Sequence, residues 1–328
     1  MNKELEIWQF AADKLKQNES VALLIVAQSS GSSPGRQGYK MAVAKDDLVG
    51  SVGGGVMEVR LAELAKERKK IKGASESAIV EQIHRKNSPN KSGMICSGKQ
   101  TIVLRRLDSS DLKTVRGIID ALENHRPQTL RVSNARFEIS NHRADFDFNF
   151  EQSGENDFLY QEKLGFKNRL FIVGGGHCAL ALSELMSKMD FYITLFDDRP
   201  NLNTLSKNEF VHRKQIIESY KQIGEFIPPG ANHFVVVMTL GYASDEIVIR
   251  ELLDKKFKYF GALGSPGKMK TLLKQLKKDG FPEEKLNRLR TPIGLPINSR
   301  TPEEIAVSIA AEIIQVKNTA RQEIRFTN

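Results

Sequence analysis

The sequence predicts an α/β protein of two domains: an N-terminal α+β domain over residues 1–167, then a doubly wound parallel sheet over 168–328. Three observations predict it. The 328 residues suffice for two cores at roughly 100–200 residues per domain. From Arg169-Leu-Phe-Ile-Val173 onward, short β-branched and aromatic runs alternate with helical periodicities, the pattern of successive βαβ units. Gly174-Gly-Gly-His-Cys-Ala179 stands between the first of those runs and a helical pattern. A hydrophobic fraction of 40% and a charged fraction of 27% are ordinary for a folded domain and exclude disordered and fibrous classes.

The elements follow in order. Leu5, Trp8, Ala12 and Leu15 recur at helical spacing and predict an amphipathic helix ending near Lys16. Val21-Ala-Leu-Leu-Ile-Val26 is β-rich and too short for a buried helix, so it is a strand. Residues 28–38 are a dense turn signal, followed by short strands near 40–44 and 48–52 joined at Asp46-Asp47. Gly53-Gly-Gly55 precedes a helical run through Val56, Val59 and Leu61. Strands are expected at 78–83 and 100–107 and a helix at 110–125. From 130 to 161, alternating segments such as Phe146-Asp-Phe-Asn-Phe150 read as antiparallel strands closing the first domain. Beyond Lys167, strands are expected at 169–173, 191–196, 211–216, 233–239 and 259–264, with helices between them.

Charge narrows the ligand. Residues 1–135 hold 22 Lys+Arg against 15 Asp+Glu and so carry +7 of the formal +9. Part of it is Lys66-Glu-Arg-Lys-Lys70, the solvated end of a helix. A basic excess suits a nucleic acid or a phosphate-bearing small ligand. With no helix-turn-helix, zinc-finger or aromatic RNA-binding signature, no nucleic-acid partner is expected. No apolar run approaches the roughly 20 residues that span a bilayer, so no membrane partner is expected. The charged start, Met1-Asn-Lys-Glu-Leu-Glu6, is unlike a signal peptide and predicts a cytoplasmic protein. Two cysteines, Cys96 and Cys178, cannot build a disulfide framework, a four-thiolate zinc site or an iron–sulfur cluster.

In the second domain the motif fits G-x-G-x-x-A. A tight turn at Gly174 and a bare backbone at Gly176 would let a phosphate reach the helix N-terminus. Asp197, 21 residues beyond Gly176 at the end of the next strand, is the expected ribose partner, with Asp198 beside it. Arg199 could instead meet a 2′-phosphate, leaving NAD against NADP open. This order of strand, glycines, helix, strand and acid is Rossmann-like, although such a sheet does not itself prove that a dinucleotide binds. His177 and Cys178 read as first-turn residues packing on the sheet.

In the first domain, Gly31-Ser-Ser-Pro-Gly-Arg-Gln-Gly38 offers hydroxyls, backbone N–H groups and the Arg36 guanidinium, a set suited to an anionic oxygen cluster. An ordinary long β-connection reads equally well from composition. Gly53-Gly-Gly-Val-Met-Glu58 repeats the chemistry, and two such loops in a basic domain favour a phosphate-bearing ligand. Cys96, in Gly93-Met-Ile-Cys-Ser-Gly98 with Arg85, Lys86, Lys91 and Lys99 nearby in sequence, could have its thiolate favoured by positive charge. A catalytic pair would need a distant partner such as His84. The thiolate could also ligate a soft metal singly or carry sulfur.

Ser30-Gly-Ser-Ser-Pro-Gly-Arg-Gln-Gly38 with Met41, Gly50-Ser-Val-Gly-Gly-Gly55 with Glu58, and Met94-Ile-Cys-Ser-Gly98 resemble the N-terminal domain of the xanthine dehydrogenase accessory factor family, XdhC/CoxI. Ile172-Val-Gly-Gly-Gly-His177, Phe196-Asp-Asp-Arg-Pro200, Tyr259-Phe-Gly-Ala-Leu-Gly-Ser265 and Thr291-Pro-Ile-Gly-Leu295 resemble its C-terminal Rossmann domain. The resemblance implies a maturation factor, more a cofactor-binding chaperone than a turnover enzyme. It would bind molybdenum cofactor (molybdopterin), support its sulfuration and pass it to a molybdenum hydroxylase of the xanthine dehydrogenase type. A cysteine desulfurase and a homodimer are further associations left open. Cys96 becomes the candidate catalytic and metal-contacting residue. Ser32, Ser33, Arg36, Gly53, Gly54, Gly55 and Glu58 are candidates for holding the cofactor, and Gly174, Gly176, His177, Asp197 and Asp245 for a nucleotide such as NAD(P). Two departures stand out: Ser97 replaces the first glycine of the usual Cys-Gly-Gly, and Leu240 follows Thr239 where the family often has histidine. The alternative reading is an NAD(P)-dependent oxidoreductase built on the second domain.

Overall fold

A computed structural model describes residues 3–68, 77–84, 98–142, 144–154 and 157–323. The chain divides into two compact units, Met1–Gly165 and Phe166–Asn328.

The first unit is built on a five-stranded antiparallel sheet of order β3-β2-β1-β5-β4, made of β1 (Val21–Gly31), β2 (Lys40–Val43), β3 (Leu48–Gly50), β4 (Ser77–His84) and β5 (Gly98–Leu107). Residues 21–27 of central β1 are buried on both faces and the remainder turns polar and exposed. Because strand side chains alternate, Val21, Leu23 and Ile25 join one core and Ala22, Leu24 and Val26 another. The first core receives α1 (Lys3–Lys16), which buries Ile7, Trp8, Ala11, Ala12 and Leu15, and α3 (Leu112–Glu123). The second receives Leu61, Ala62 and Ala65 of α2 (Gly55–Arg68). The expected antiparallel segments form their own four-stranded sheet, β7-β6-β9-β8, from β6 (Thr129–Ser133), β7 (Phe137–Ser140), β8 (Phe148–Gln152) and β9 (Phe158–Lys163). A buried ion cluster ties it in: Lys40 Nζ lies 2.8 Å from Glu4 Oε1 and 2.7 Å from Glu162 Oε2.

The second unit is a parallel sheet of order β12-β11-β10-β13-β14. Its strands are β10 (Asn168–Val173), β11 (Phe191–Asp197), β12 (Arg213–Ile216), β13 (Gly230–Val237) and β14 (Phe257–Ala262). The α/β class and the Rossmann-like C-terminal sheet are as expected. α4 (His177–Ser187) and the long α10 (Pro302–Glu323) cover one face, packing Ala179, Leu182 and Met186 with Ala306, Ile309 and Ile313. α7 (Tyr242–Leu252) and α8 (Pro266–Lys278) cover the other. Three short helices, α5 (Asn203–Lys207), α6 (Ile223–Phe226) and α9 (Glu283–Leu286), complete the connections. Among the described residues no helix is long and apolar enough to cross a membrane.

Candidate functional site

The first unit gathers its glycine segments at one end of the sheet. Gly31, closing β1, pairs with Gly98, opening β5, and His84, closing β4, pairs with Gly98 on its other side. The loop after Gly31 therefore leaves the sheet end at which β5 begins. A Cβ on Gly98 would stand 2.6 Å from Ser33 N, and one on Gly53 would stand 2.7 Å from Gly35 N. Gly53 also has φ +135°, a conformation that side chains resist. Buried Gln100 bridges the cluster, its Nε2 donating to Val52 O at 3.0 Å. The loops over 31–38 and 50–55 thus meet backbone to backbone beside Gly98. Cys96 and Ser97 lie outside the described residues, as do Arg85, Lys86 and Lys91.

The predicted binding residues divide by exposure. Ser33 is buried and donates from Oγ to Gly35 O at 2.9 Å, which makes it a brace inside the loop. Ser32 and Arg36 are exposed, and the guanidinium has one long contact, 3.4 Å from Nη1 to Gly31 O. Gly55 is exposed at the start of α2, and a Cβ on Gly54 would meet nothing within 4 Å. Glu58 has a different place from the one expected. Its Oε2 accepts from Ser51 Oγ at 2.6 Å, Val52 N at 2.8 Å and Gly54 N at 2.9 Å. Loop donors expected to face a phosphate are thus held by an internal carboxylate. Burial pushes the Glu58 pKa up, but Ser51 and the loop N–H groups outweigh it and hold it below the usual value.

In the second unit the chain's progression through the sheet reverses between adjacent β10 and β13, where ligands bind in open α/β sheets. Gly174 has φ +107°, and a Cβ there would collide with the Met238 carbonyl. Gly176 caps α4 with open space around it and no side-chain cap. His177 is exposed, which corrects the expectation that it packs on the sheet; Cys178 does pack there, half-buried. Burial and the Glu303 charge push its thiol up, opposite to what a reactive thiolate needs.

Asp197 also departs from expectation. Its side chain is fully buried, Oδ1 accepts from Arg199 N (2.9 Å) and Nε (2.8 Å), and Oδ2 accepts from Gly175 N (2.6 Å) and Arg199 Nη2 (2.8 Å). All four lone-pair positions are spent on the protein, so Asp197 organises the turn and has none left for a ribose. Burial alone would raise its pKa; the Arg199 guanidinium and the two backbone N–H groups reverse this. Asp198, 39% exposed, is the carboxylate that faces outward. Asp245 is buried and accepts from Thr239 Oγ1 at 2.6 Å and Thr239 N at 3.0 Å, pinning the loop from β13 to α7. Its pKa is raised by burial, against the pull of Thr239 and Lys268. Leu240 projects from that loop, 80% exposed.

Ser51, Gln100, Thr204 and Thr239 were not singled out in the sequence. Gln100 and Thr204 act on distant backbone carbonyls, Val52 O and Gly175 O, while Ser51 and Thr239 donate to the carboxylates of Glu58 and Asp245 several residues on, and no local pattern marks either.

Two family descriptions match the chain: "XdhC Rossmann domain" over residues 170–313 and "XdhC and CoxI family" over residues 14–78. The chain belongs to the XdhC and CoxI family. Both glycine loops of the first unit and the glycine turn of the second fall inside the matched ranges; Cys96 falls outside them. An Escherichia coli (strain K12) relative, "Uncharacterized protein YqeB", is 32% identical over 160 residues, 48% of this chain and 28% of that protein. A Bacillus subtilis (strain 168) relative, described as a probable xanthine dehydrogenase subunit, is 31% identical over 163 residues, 48% of this chain and 46% of that protein. The chain thus spans less than half the length of either curated relative. A crystal structure from Bacillus halodurans, described as a xanthine dehydrogenase, superposes with a TM-score of 0.71 at 22% identity, covering 98% of this chain and 97% of that one; the likeness is one of fold.

Proposed function

We propose that this family member is an accessory factor that takes molybdenum cofactor as cargo, supports its sulfuration, and delivers it to a molybdenum hydroxylase of the xanthine dehydrogenase type. The observation that carries this reading is the convergence at one sheet end of the two glycine loops and the strand that begins two residues after Cys96. The residues suit the cargo. Exposed Arg36 and Ser32 offer charge-assisted hydrogen bonds to a terminal phosphate, and the first 135 residues carry +7. Glu58 acts as a positioning residue that shapes the loop. Cys96 would supply a soft thiolate, to molybdenum or as a sulfur carrier. The name of the Bacillus subtilis relative supports the choice of partner class.

The test is expression with molybdenum cofactor supplied, followed by elemental analysis for molybdenum and fluorescence of released pterin. Wild type should retain both, Cys96→Ala should lose molybdenum, and Arg36→Gln should weaken pterin retention about tenfold, the equivalent of one charge-assisted hydrogen bond. Equal, negligible loading of wild type and Cys96→Ala would sink the proposal.

A second reading, an NAD(P)-dependent oxidoreductase, is favoured by the open N-cap at Gly176 and the exposed Asp198 that follows β11. It requires thermal stabilisation by a nicotinamide nucleotide, roughly 2.7 kcal/mol at one hundred times Kd. No shift with any of the four nucleotide forms removes it.

A further inference from the structure

The second unit holds a basic cleft away from its glycine turn. β14 is the edge strand of the parallel sheet. Its outer side is covered near its end, where Arg290 N donates to Phe260 O at 2.9 Å and Ala262 N to Arg290 O at 3.0 Å. Over the strand's first half lies a cleft of about 340 Å3, lined by Lys255, Lys258, Lys285, Arg288 and Arg290, with Phe257 among the wall residues. No Asp or Glu lines it.

The accounting of these five cations makes the cleft more than a solvated lysine face. Lys285 is paired with Asp254 at 2.5 Å and Arg290 with Glu312 at 3.2 Å. Lys255 rests on the carbonyls of Gly224 and Ile227, and Arg288 Nη2 on Leu253 O at 3.1 Å. A carbonyl orients a cation without cancelling its charge, so neither is neutralised by a carboxylate. Lys258 has no ion pair among the described residues. Three cations without a carboxylate partner thus converge in a concavity, and concave low-dielectric walls focus such a field. The volume is at the small end of ligand sites, which run from roughly 300 Å3 upward, and guanidinium and ammonium groups together match phosphate oxygens.

We propose that this cleft binds the phosphate of a small anion, separately from the glycine turn at the strand ends. The phosphate could be free or belong to a nucleotide. Titration calorimetry on the full chain at low ionic strength, with pyrophosphate and with AMP as probes, tests this. Pyrophosphate should bind saturably, and Lys258→Gln/Arg288→Gln should weaken it by about tenfold or more. Lys258→Gln alone touches no structural bond and should show part of that loss with an unchanged thermal midpoint. AMP binding tighter than pyrophosphate, and adenosine not at all, assigns the source to a nucleotide; the reverse order assigns it to free phosphate. No saturable binding of either probe overturns the proposal. So does affinity unchanged in both variants, affinity lost in Gly176→Ala instead, or binding confined to an oligonucleotide.

Discussion

Glu58 shows how one side chain changes the meaning of a motif. In sequence, Gly53-Gly-Gly55 is a row of free N–H groups ahead of a helix; in the structure, Ser51, Val52 and Gly54 already donate to the Glu58 carboxylate. A protein anion therefore stands where a ligand anion was expected. Its folded pKa is below the ordinary 4.5, so the stabilisation is complete above that pH and is lost as pH falls through the lowered value. Glu58→Gln should lower stability by about 1 kcal/mol at pH 7, and urea titrations near pH 3 should show the gap to wild type shrinking. A gap that persists at pH 3 would show that the charge contributes nothing. Arg199→Gln, which removes both guanidinium hydrogen bonds from buried Asp197, should cost about 2 kcal/mol at neutral pH, measured by thermal unfolding. The position of Asp197 was legible from the strand and the spacing. Its occupation by Arg199 was not, because a guanidinium two residues on can curl back or reach out, and only the packed turn decides.

At the level of elements, turns and strand ends carry the consequences. Gly174 and Gly176 are two residues apart in one motif but differ physically. Gly174→Ala forces a Cβ into the Met238 carbonyl at a positive φ and should cost about 3 kcal/mol or more. Gly176→Ala finds open space and should change stability by under about 0.5 kcal/mol while obstructing any phosphate that approaches α4. Chemical denaturation of both variants, with nucleotide titration of the second, checks the pair. The parallel strands were readable because buried β-branched runs alternate with helical periods. Helix starts were less so. The helix expected from 110 begins at Leu112, since Asp108 accepts from Ser110 N while Asp111 accepts from Asp108 N, closing a 3-10 turn first. The meeting of the 31–38 and 50–55 loops beside Gly98 was out of reach, because it follows from the antiparallel register of β3, β2, β1 and β5, which no single segment encodes.

On the scale of the molecule, each unit owns its cores: the clusters around Trp8 and Leu24 draw only on the first, and those around Val237 and Ile172 only on the second. Residues 166–328 expressed alone should therefore unfold in a single cooperative transition; a broad, non-cooperative melt followed by circular dichroism would contradict this. The solitary tryptophan adds something practical. Trp8 is fully buried in the first unit's core, and its Nε1 has no acceptor among the described residues. Its emission is thus a built-in fluorophore for one half of the protein, blue-shifted while that half is packed and silent about the other. A difference between fluorescence and dichroism midpoints on the intact chain would rank the two halves in stability without any label.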